Sequence, residues 1–260
     1  MDMNIRHLHV AREVARHGTI SAAARHVALS QPAITQAIAA LERLVRVSLF
    51  NRTNAGVTPT AAGALFIERV ERAIGHLRDA VIETTRASSR DAATQLKRIE
   101  RAMTTAQLNA LVAVVEHGSF SQAARADGVS QPTIHRAARE LERLIGLALF
   151  ERTSFGVQPT REAQRLARGA KLAFAEIEQA RAELAAFGGD EAGRTVIGAM
   201  PLARSFLLPR ALIEFTLEHP LHRVSILEGS YDNLVAELRS GSADFLVGAL
   251  RKSTRLKSVV

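Results

Sequence analysis

The 260-residue sequence predicts a mostly α-helical protein with a smaller α/β piece at its C-terminal end. Three observations carry this. Residues 5–64 and 105–164 align at an offset of 100 without a gap, with about 25 identities over 60 positions, so one structural unit occurs twice. Each copy spaces its apolar residues helically and ends in a short hairpin pattern. From Arg194 onward, short apolar runs alternate with helical stretches, the signature of a parallel sheet.

Copy one opens with a helix over Ile5–His17, whose Leu8, Ala11, Val14 and Ala15 fall at helical spacing. Gly18 supplies a left-handed stop. Ser21 is expected to cap a short helix over Ala22–Val27. Ser30 caps a third helix, where Pro32 is tolerated because the first turn has no internal N–H partners. Ile34, Ala37, Ile38, Leu41 and Leu44 form its core-facing stripe. The opposite face carries Ala33, Thr35, Gln36, Ala39 and Ala40, small and uncharged enough to lie against a base-pair edge. The helix start also presents free N–H groups to a phosphate. Leu49–Arg52 reads as a strand, Asn54-Ala55-Gly56 as a turn and Val57-Thr58 as the return strand. Three helices and a hairpin make a winged helix-turn-helix, and the offset of 100 repeats it.

A long helix follows each wing. In copy two Leu166, Ala170, Ala173, Ile177, Ala180, Leu184 and Phe187 alternate at spacings of four and three, a heptad seam. Phe66, Val70, Ala73, Leu77, Ala80 and Thr84 do the same in copy one. The two helices either pair with each other inside one chain or join two chains. Residues 86–94 read as a weakly patterned junction, and Gly188-Gly189 opens a hinge. Beyond it, strands are expected at Thr195–Ala199, Val224–Glu228 and Asp244–Gly248, with helices over Leu207–His219 and Asn233–Ser240.

The chain carries a formal charge of +8, which points to nucleic acid or an anionic surface. Copy one has seven Arg against two Glu, whereas copy two has six basic and six acidic residues. The chain has no cysteine, so disulfides and thiolate metal sites are excluded. No apolar run reaches 18 residues, and the first residues lack a signal core, so a cytoplasmic protein without a membrane partner is expected. His7 and His9 lie two apart, on different helical faces, and no zinc spacing appears. Neither a phosphate loop, a nucleophile elbow nor a carboxylate pair is present, so neither an enzyme nor a cofactor is expected.

The ordered motifs carry a resemblance. Ala23-Ala24, Ser30-Gln31-Pro32, Leu41-Glu42-Arg43-Leu44, Leu49-Phe50-Asn51-Arg52 and Thr60-Ala61-Ala62-Gly63 resemble the N-terminal DNA-binding domain of the LysR-type transcriptional regulators. Copy two repeats the set except at its end, Thr160-Arg161-Glu162-Ala163. The resemblance implies a DNA-binding regulator whose double-stranded DNA contacts are Gln31, Pro32, Thr35, Gln36 and Arg52. In copy two the matching positions are Gln131, Pro132, His135, Arg136 and Arg152, with Arg139 one turn further on. Family members usually carry Ser or Thr, then Arg, at the positions of Thr35-Gln36 and His135-Arg136. Copy one lacks that arginine and copy two lacks the hydroxyl, so unlike half-sites are expected. The resemblance also implies linker helices that build a homo-oligomer.

The resemblance extends to the C-terminal piece, which looks like the first βαβαβ part of a periplasmic-binding-protein-like effector domain. Ser230 and Tyr231 are its candidate effector contacts, with loop capping as the alternative role, and a small-molecule effector is implied if the rest of the domain is present. The expected divisions are 1–60 and 101–160 for the winged units, 61–100 and 161–190 for the linker helices, and 191–260 for the partial effector domain. In an alternative reading, copy two and the long helices form an interaction or dimerisation module with copy one as sole reader, or the chain is a form without effector response.

Overall fold

A computed structural model describes residues 3–53, 56–85, 92–153, 156–187 and 193–249. It divides into two compact units, Met1–Leu184 and Ala185–Val260. The expected turn at Asn54-Ala55, most of the junction over residues 86–94 and the Gly188-Gly189 hinge lie outside the described residues.

In the first unit, copy one contributes α1 (Ile5–His17), α2 (Ile20–Val27), α3 (Gln31–Val45) and the hairpin β1 (Phe50–Thr53) and β2 (Gly56–Pro59). The long α4 (Ala61–Thr85) and the shorter α5 (Ala92–Ala102) follow. Copy two repeats the plan as α6 (Thr105–His117), α7 (Phe120–Ala126), α8 (Gln131–Ile145), β3 (Phe150–Thr153), β4 (Gly156–Pro159) and α9 (Arg161–Phe187). Gly18 closes α1 in the left-handed region at φ 66°. The α2 cap is Thr19 rather than Ser21: the chain leaves Gly18 extended, so the Thr19 hydroxyl accepts the Ala22 N–H at 3.2 Å. Helix α5 was not expected from the sequence, yet Ile99 in its last turn and Met103 just past its end are buried.

One clamp recurs in both copies. The Glu42 carboxylate accepts the N–H groups of Leu49 and Phe50 at 2.8 and 3.2 Å. Glu142 does the same for Leu149 and Phe150 at 2.8 and 3.1 Å. The Leu-Glu-Arg-Leu and Leu-Phe motifs are thus two halves of one device, which fixes each wing to its third helix through charge-assisted bonds. Thr60 then caps α4, accepting the Gly63 N–H at 2.9 Å while donating to Ser48 O at 2.7 Å. A Cβ on Gly63 would overlap the Leu49 carbonyl, which explains the glycine of Thr-Ala-Ala-Gly. In copy two a fully buried Ala163 occupies this place, and Thr160 donates to Ala148 O at a longer 3.4 Å.

Within the chain, α4 and α9 meet in antiparallel sense. A Cβ at Gly169 would overlap that of Ala80 and lie 2.9 Å from His76 O, so the backbones touch there. At the other end Arg69 bonds to Glu176 at 2.9 Å and to Glu183. The heptad positions Phe66 to Thr84 and Leu166 to Leu184 are buried, while Phe187 at the end of the seam is 52% exposed. Each large apolar side chain so buried contributes about 1.5–3 kcal/mol.

A pseudo-two-fold relation follows from the contacts. Ile5 and Thr105 are aligned positions, and the Ile5 N–H donates to the Thr105 hydroxyl at 3.1 Å. Equivalent residues meet only near a symmetry axis. The same relation maps the Ala80–Gly169 contact onto Ala180 and Arg69, and the two glutamates of Arg69 flank Ala180 by about one turn. Where Arg16 faces Glu71 at 3.9 Å in copy one, Glu116 faces Lys171 at 3.0 Å in copy two, with the signs exchanged.

The second unit holds β5 (Arg194–Ala199), α10 (Pro201–Arg204), α11 (Leu207–Glu218), β6 (Arg223–Glu228), α12 (Tyr231–Arg239) and β7 (Phe245–Val247). Its three strands run parallel in the order β6-β5-β7, with Ile197 paired to Ile226 and Phe245. Ile197, Ala199 and Leu208 form its core. Asp244 ties β7 to β5 by accepting the Val196 N–H at 2.6 Å. No described helix is long and apolar enough to cross a membrane.

Candidate nucleic-acid interface

The third helix of each copy begins identically. Ser30 and Ser130 cap it, with Pro32 and Pro132 in the first turn and the inward stripe buried from Ile34 and Ile134 onward. What remains outside is the face read from the sequence. Gln31, Pro32 and Gln36 are exposed, and Thr35 is half-buried beside them. On β1, Arg52 is exposed and pairs with no carboxylate among the described residues. The face is uncharged at its centre and flanked by a free cation on the wing.

Copy two holds different chemistry on the same frame. Gln131, Pro132, His135 and Arg136 are exposed. His135 rests edge-on against Phe120, with ring centroids 5.1 Å apart, which limits how far its ring can swing. Arg139 is half-buried and reaches one turn forward along the helix to Glu142 at 2.6 Å, the carboxylate that clamps the wing. Arg139 thus supports the fold of copy two at the same time as it borders the face. Arg152 lies on β3, and its side chain is outside the described residues.

Sequence reading passed over Arg25. It lines a shallow depression with Leu29, Ser30 and Gln31, at the junction of α2 and α3. Both Arg25 and Arg125 are exposed at aligned positions. The signal was available, since Ala23-Ala24-Arg25 recurs as Ala123-Ala124-Arg125.

Ser230 and Tyr231 are placed side by side, at the start of α12. The Ser230 hydroxyl accepts the Asn233 N–H at 3.3 Å, so it caps the helix and moves its start two residues upstream of the expected Asn233. Among the described residues, no group of three or more His, Asp or Glu side chains is arranged to hold a metal ion.

Residues 5–64 and 105–164 each match the sequence profile of bacterial regulatory helix-turn-helix proteins of the lysR family, and residues 188–257 match the LysR substrate binding domain. The chain belongs to the LysR family. Among its LysR-type relatives, it is 34% identical over 238 residues to the HTH-type transcriptional regulator GalR of Pseudomonas putida, a match covering 92% of this chain and 58% of that protein. It is 32% identical over 152 residues to the DNA-binding transcriptional dual regulator OxyR of Escherichia coli, covering 58% of this chain and 50% of that one. The chain therefore spans little more than half the length of these relatives. Among solved structures it is similar to a full-length OxyR of Pseudomonas aeruginosa, with 24% identity, a TM-score of 0.41 and coverage of 58% of this chain and 51% of that one.

Proposed function

We propose that this chain is a sequence-specific DNA-binding regulator of transcription whose two reading helices, α3 and α8, address unlike half-sites of one duplex. The observation that carries the reading is the contrast of two exposed faces on one scaffold: Thr35-Gln36 and His135-Arg136 stand at the same register of two identically capped helices. Thr and Gln suit thymine methyls and adenine edges, whereas an exposed arginine forms a bidentate bond to guanine. Arg25, Arg52 and the N–H groups at the helix starts serve the phosphate rail, which positions the protein without reading sequence.

The α4–α9 pairing supports a single-chain arrangement in which one polypeptide supplies both heads. A protein built this way has no reason to favour a palindrome. Assembly between chains then uses surfaces other than the linker seam. The C-terminal unit supplies the opening strands of an effector domain, with Ser230 and Tyr231 at the start of α12 as its polar candidates for an effector contact.

The charge contrast favours a second reading, in which copy two is an interaction module: its face borders an arginine already tied to Glu142, and its acidic and basic residues balance. Electrophoretic shifts on genomic fragments separate the two. The two-reader proposal expects binding that weakens steeply with salt, and expects Gln36→Ala and Arg136→Ala to change preference at different positions. If only the copy-one substitution has an effect, copy two does not read DNA.

A further inference from the structure

Helix α5 has no counterpart after copy two, where the chain runs on into β5. It is fastened at three points: Arg78 of α4 bonds to Glu100 at 2.7 Å, Arg101 donates to the carbonyl of His26 at 2.8 Å, and Arg6 of α1 donates to the carbonyl of Ala102 at 3.2 Å. Between α5, α1 and the end of α2 a cleft of about 720 Å³ remains, within the range of small-molecule sites.

Cations outnumber carboxylates in the cleft. Arg12 and Arg16 enter from α1, Arg78 from α4, and Lys97 and Arg101 from α5. Glu13 and Glu100 line the cleft with them, Glu71 of α4 also faces Arg16 at 3.9 Å, and all three carboxylates are committed. Glu13 is shared by Arg12 at 3.0 Å, Arg16 at 3.8 Å and His17 at 3.3 Å, while Glu100 serves Arg78. Lys97 is exposed and makes no ion pair with a described residue. At the floor, the Arg12 side chain is only 9% exposed. Beside it, burial and then Arg12 push the His9 imidazole down to about 4, so the ring is neutral and available as a hydrogen-bonding group.

The shared scaffold does not require this charge. The aligned positions in copy two are Val112, Glu116 and Glu178 in place of Arg12, Arg16 and Arg78. The same fold therefore forms without the cations, and they accumulate only where α5 closes a cleft over them. Guanidinium forks and an ammonium around a partly desolvated space match planar carboxylate or phosphate groups.

We propose that the cleft between α5 and copy one binds a small multivalent anion of the carboxylate or phosphate class. Such a ligand bridges α5 to α1 and α2, and α2 packs directly on the reading helix α3. The site is independent of what α3 recognises.

Calorimetric titration of the full chain at low ionic strength with citrate, succinate and inorganic phosphate tests it. At least one probe is expected to bind saturably, one per chain, and the preferred probe tells carboxylate from phosphate. Lys97→Glu and Arg16→Glu change exposed side chains, so folding is checked by circular dichroism, and each is expected to weaken binding tenfold or more. Arg210→Glu, in the second unit, leaves it unchanged. Absence of saturable binding by all three probes, or equal binding by both variants, overturns the proposal. Loss of DNA affinity in Lys97→Glu with no anion binding in the parent chain also overturns it, and assigns the cleft to nucleic acid.

Discussion

Substituting Gly169 by alanine probes the α4–α9 seam through the sign of its effect. In an isolated or solvent-facing helix, glycine to alanine stabilises by about 0.5–1 kcal/mol, because alanine has less backbone freedom to lose. At Gly169 the added methyl overlaps Ala80 Cβ and meets His76 O at 2.9 Å. Neither is the mobile end of a long side chain, so the helices must separate. Overpacking of this kind costs about 1–3 kcal/mol. The net expectation is a loss of about 1–2 kcal/mol, or roughly 2–8 °C for a protein of this size. Gly75 of α4 is the control, because a Cβ there meets nothing within 4 Å, and alanine should stabilise by about 1 kcal/mol. Helix content followed in urea by circular dichroism is the suitable assay, since the chain has no tryptophan and its one tyrosine, Tyr231, sits in the second unit. Gly169→Ala should lower the midpoint and Gly75→Ala raise it. Equal stabilisation by both would mean that α4 and α9 do not touch in the folded chain.

Other outcomes follow from particular contacts. His9 titrates at about 4 in the folded chain against an ordinary 6.5. Between those values the unfolded chain holds a proton that the native one does not, so stability falls as pH falls from about 6.5 to 4, by up to roughly 3 kcal/mol, and levels off below. His9→Asn, which reproduces Asn109 of copy two, should flatten that part of a pH–stability curve, while an unaltered curve would remove His9 as its source. Glu142→Ala strands two buried N–H groups and frees Arg139, at a cost of about 2–3 kcal/mol in denaturant titration; a loss below half a kcal/mol would show that the clamp is dispensable. Arg52→Ala should weaken binding to all duplexes alike and lower the salt slope by about one, whereas Arg136→Ala should cost about 1–3 kcal/mol only at sites carrying its guanine.

The repeat, the capped third helices and the heptad seams were legible because each is written in local spacing. Ser30, Pro32 and Ile34 state where a helix starts and which side is inward without reference to the rest of the chain. The role of Glu42 and Glu142 was not, since it depends on a carboxylate meeting N–H groups seven and eight residues away. The cap of α2 moved from Ser21 to Thr19 because both are good caps, and the exit from Gly18 decides between them. Helix α5 was hidden by the weak pattern of the residues before it, although Leu96, Ile99 and Met103 sit at helical spacing. The intrachain contact of α4 with α9 lay beyond the pattern altogether: it turns on Gly169, whose missing side chain lets Ala80 approach, and on Arg69, whose glutamate partners are over a hundred residues away. In the candidate interface the outward register of Gln36 and Arg136 was legible from helical spacing, but the attachment of Arg139 to Glu142 and the position of Arg25 needed coordinates.

The account rests on one chain presenting two unlike readers to one duplex. Selection of bound sequences from random duplexes, followed by the mass of the complex formed on the winner, measures this directly. The expected winner has two dissimilar half-sites spaced by about one helical turn of 34–36 Å or a multiple of it, with a single chain protecting both. A palindromic winner, or a requirement for two chains to cover one pair of half-sites, would contradict it.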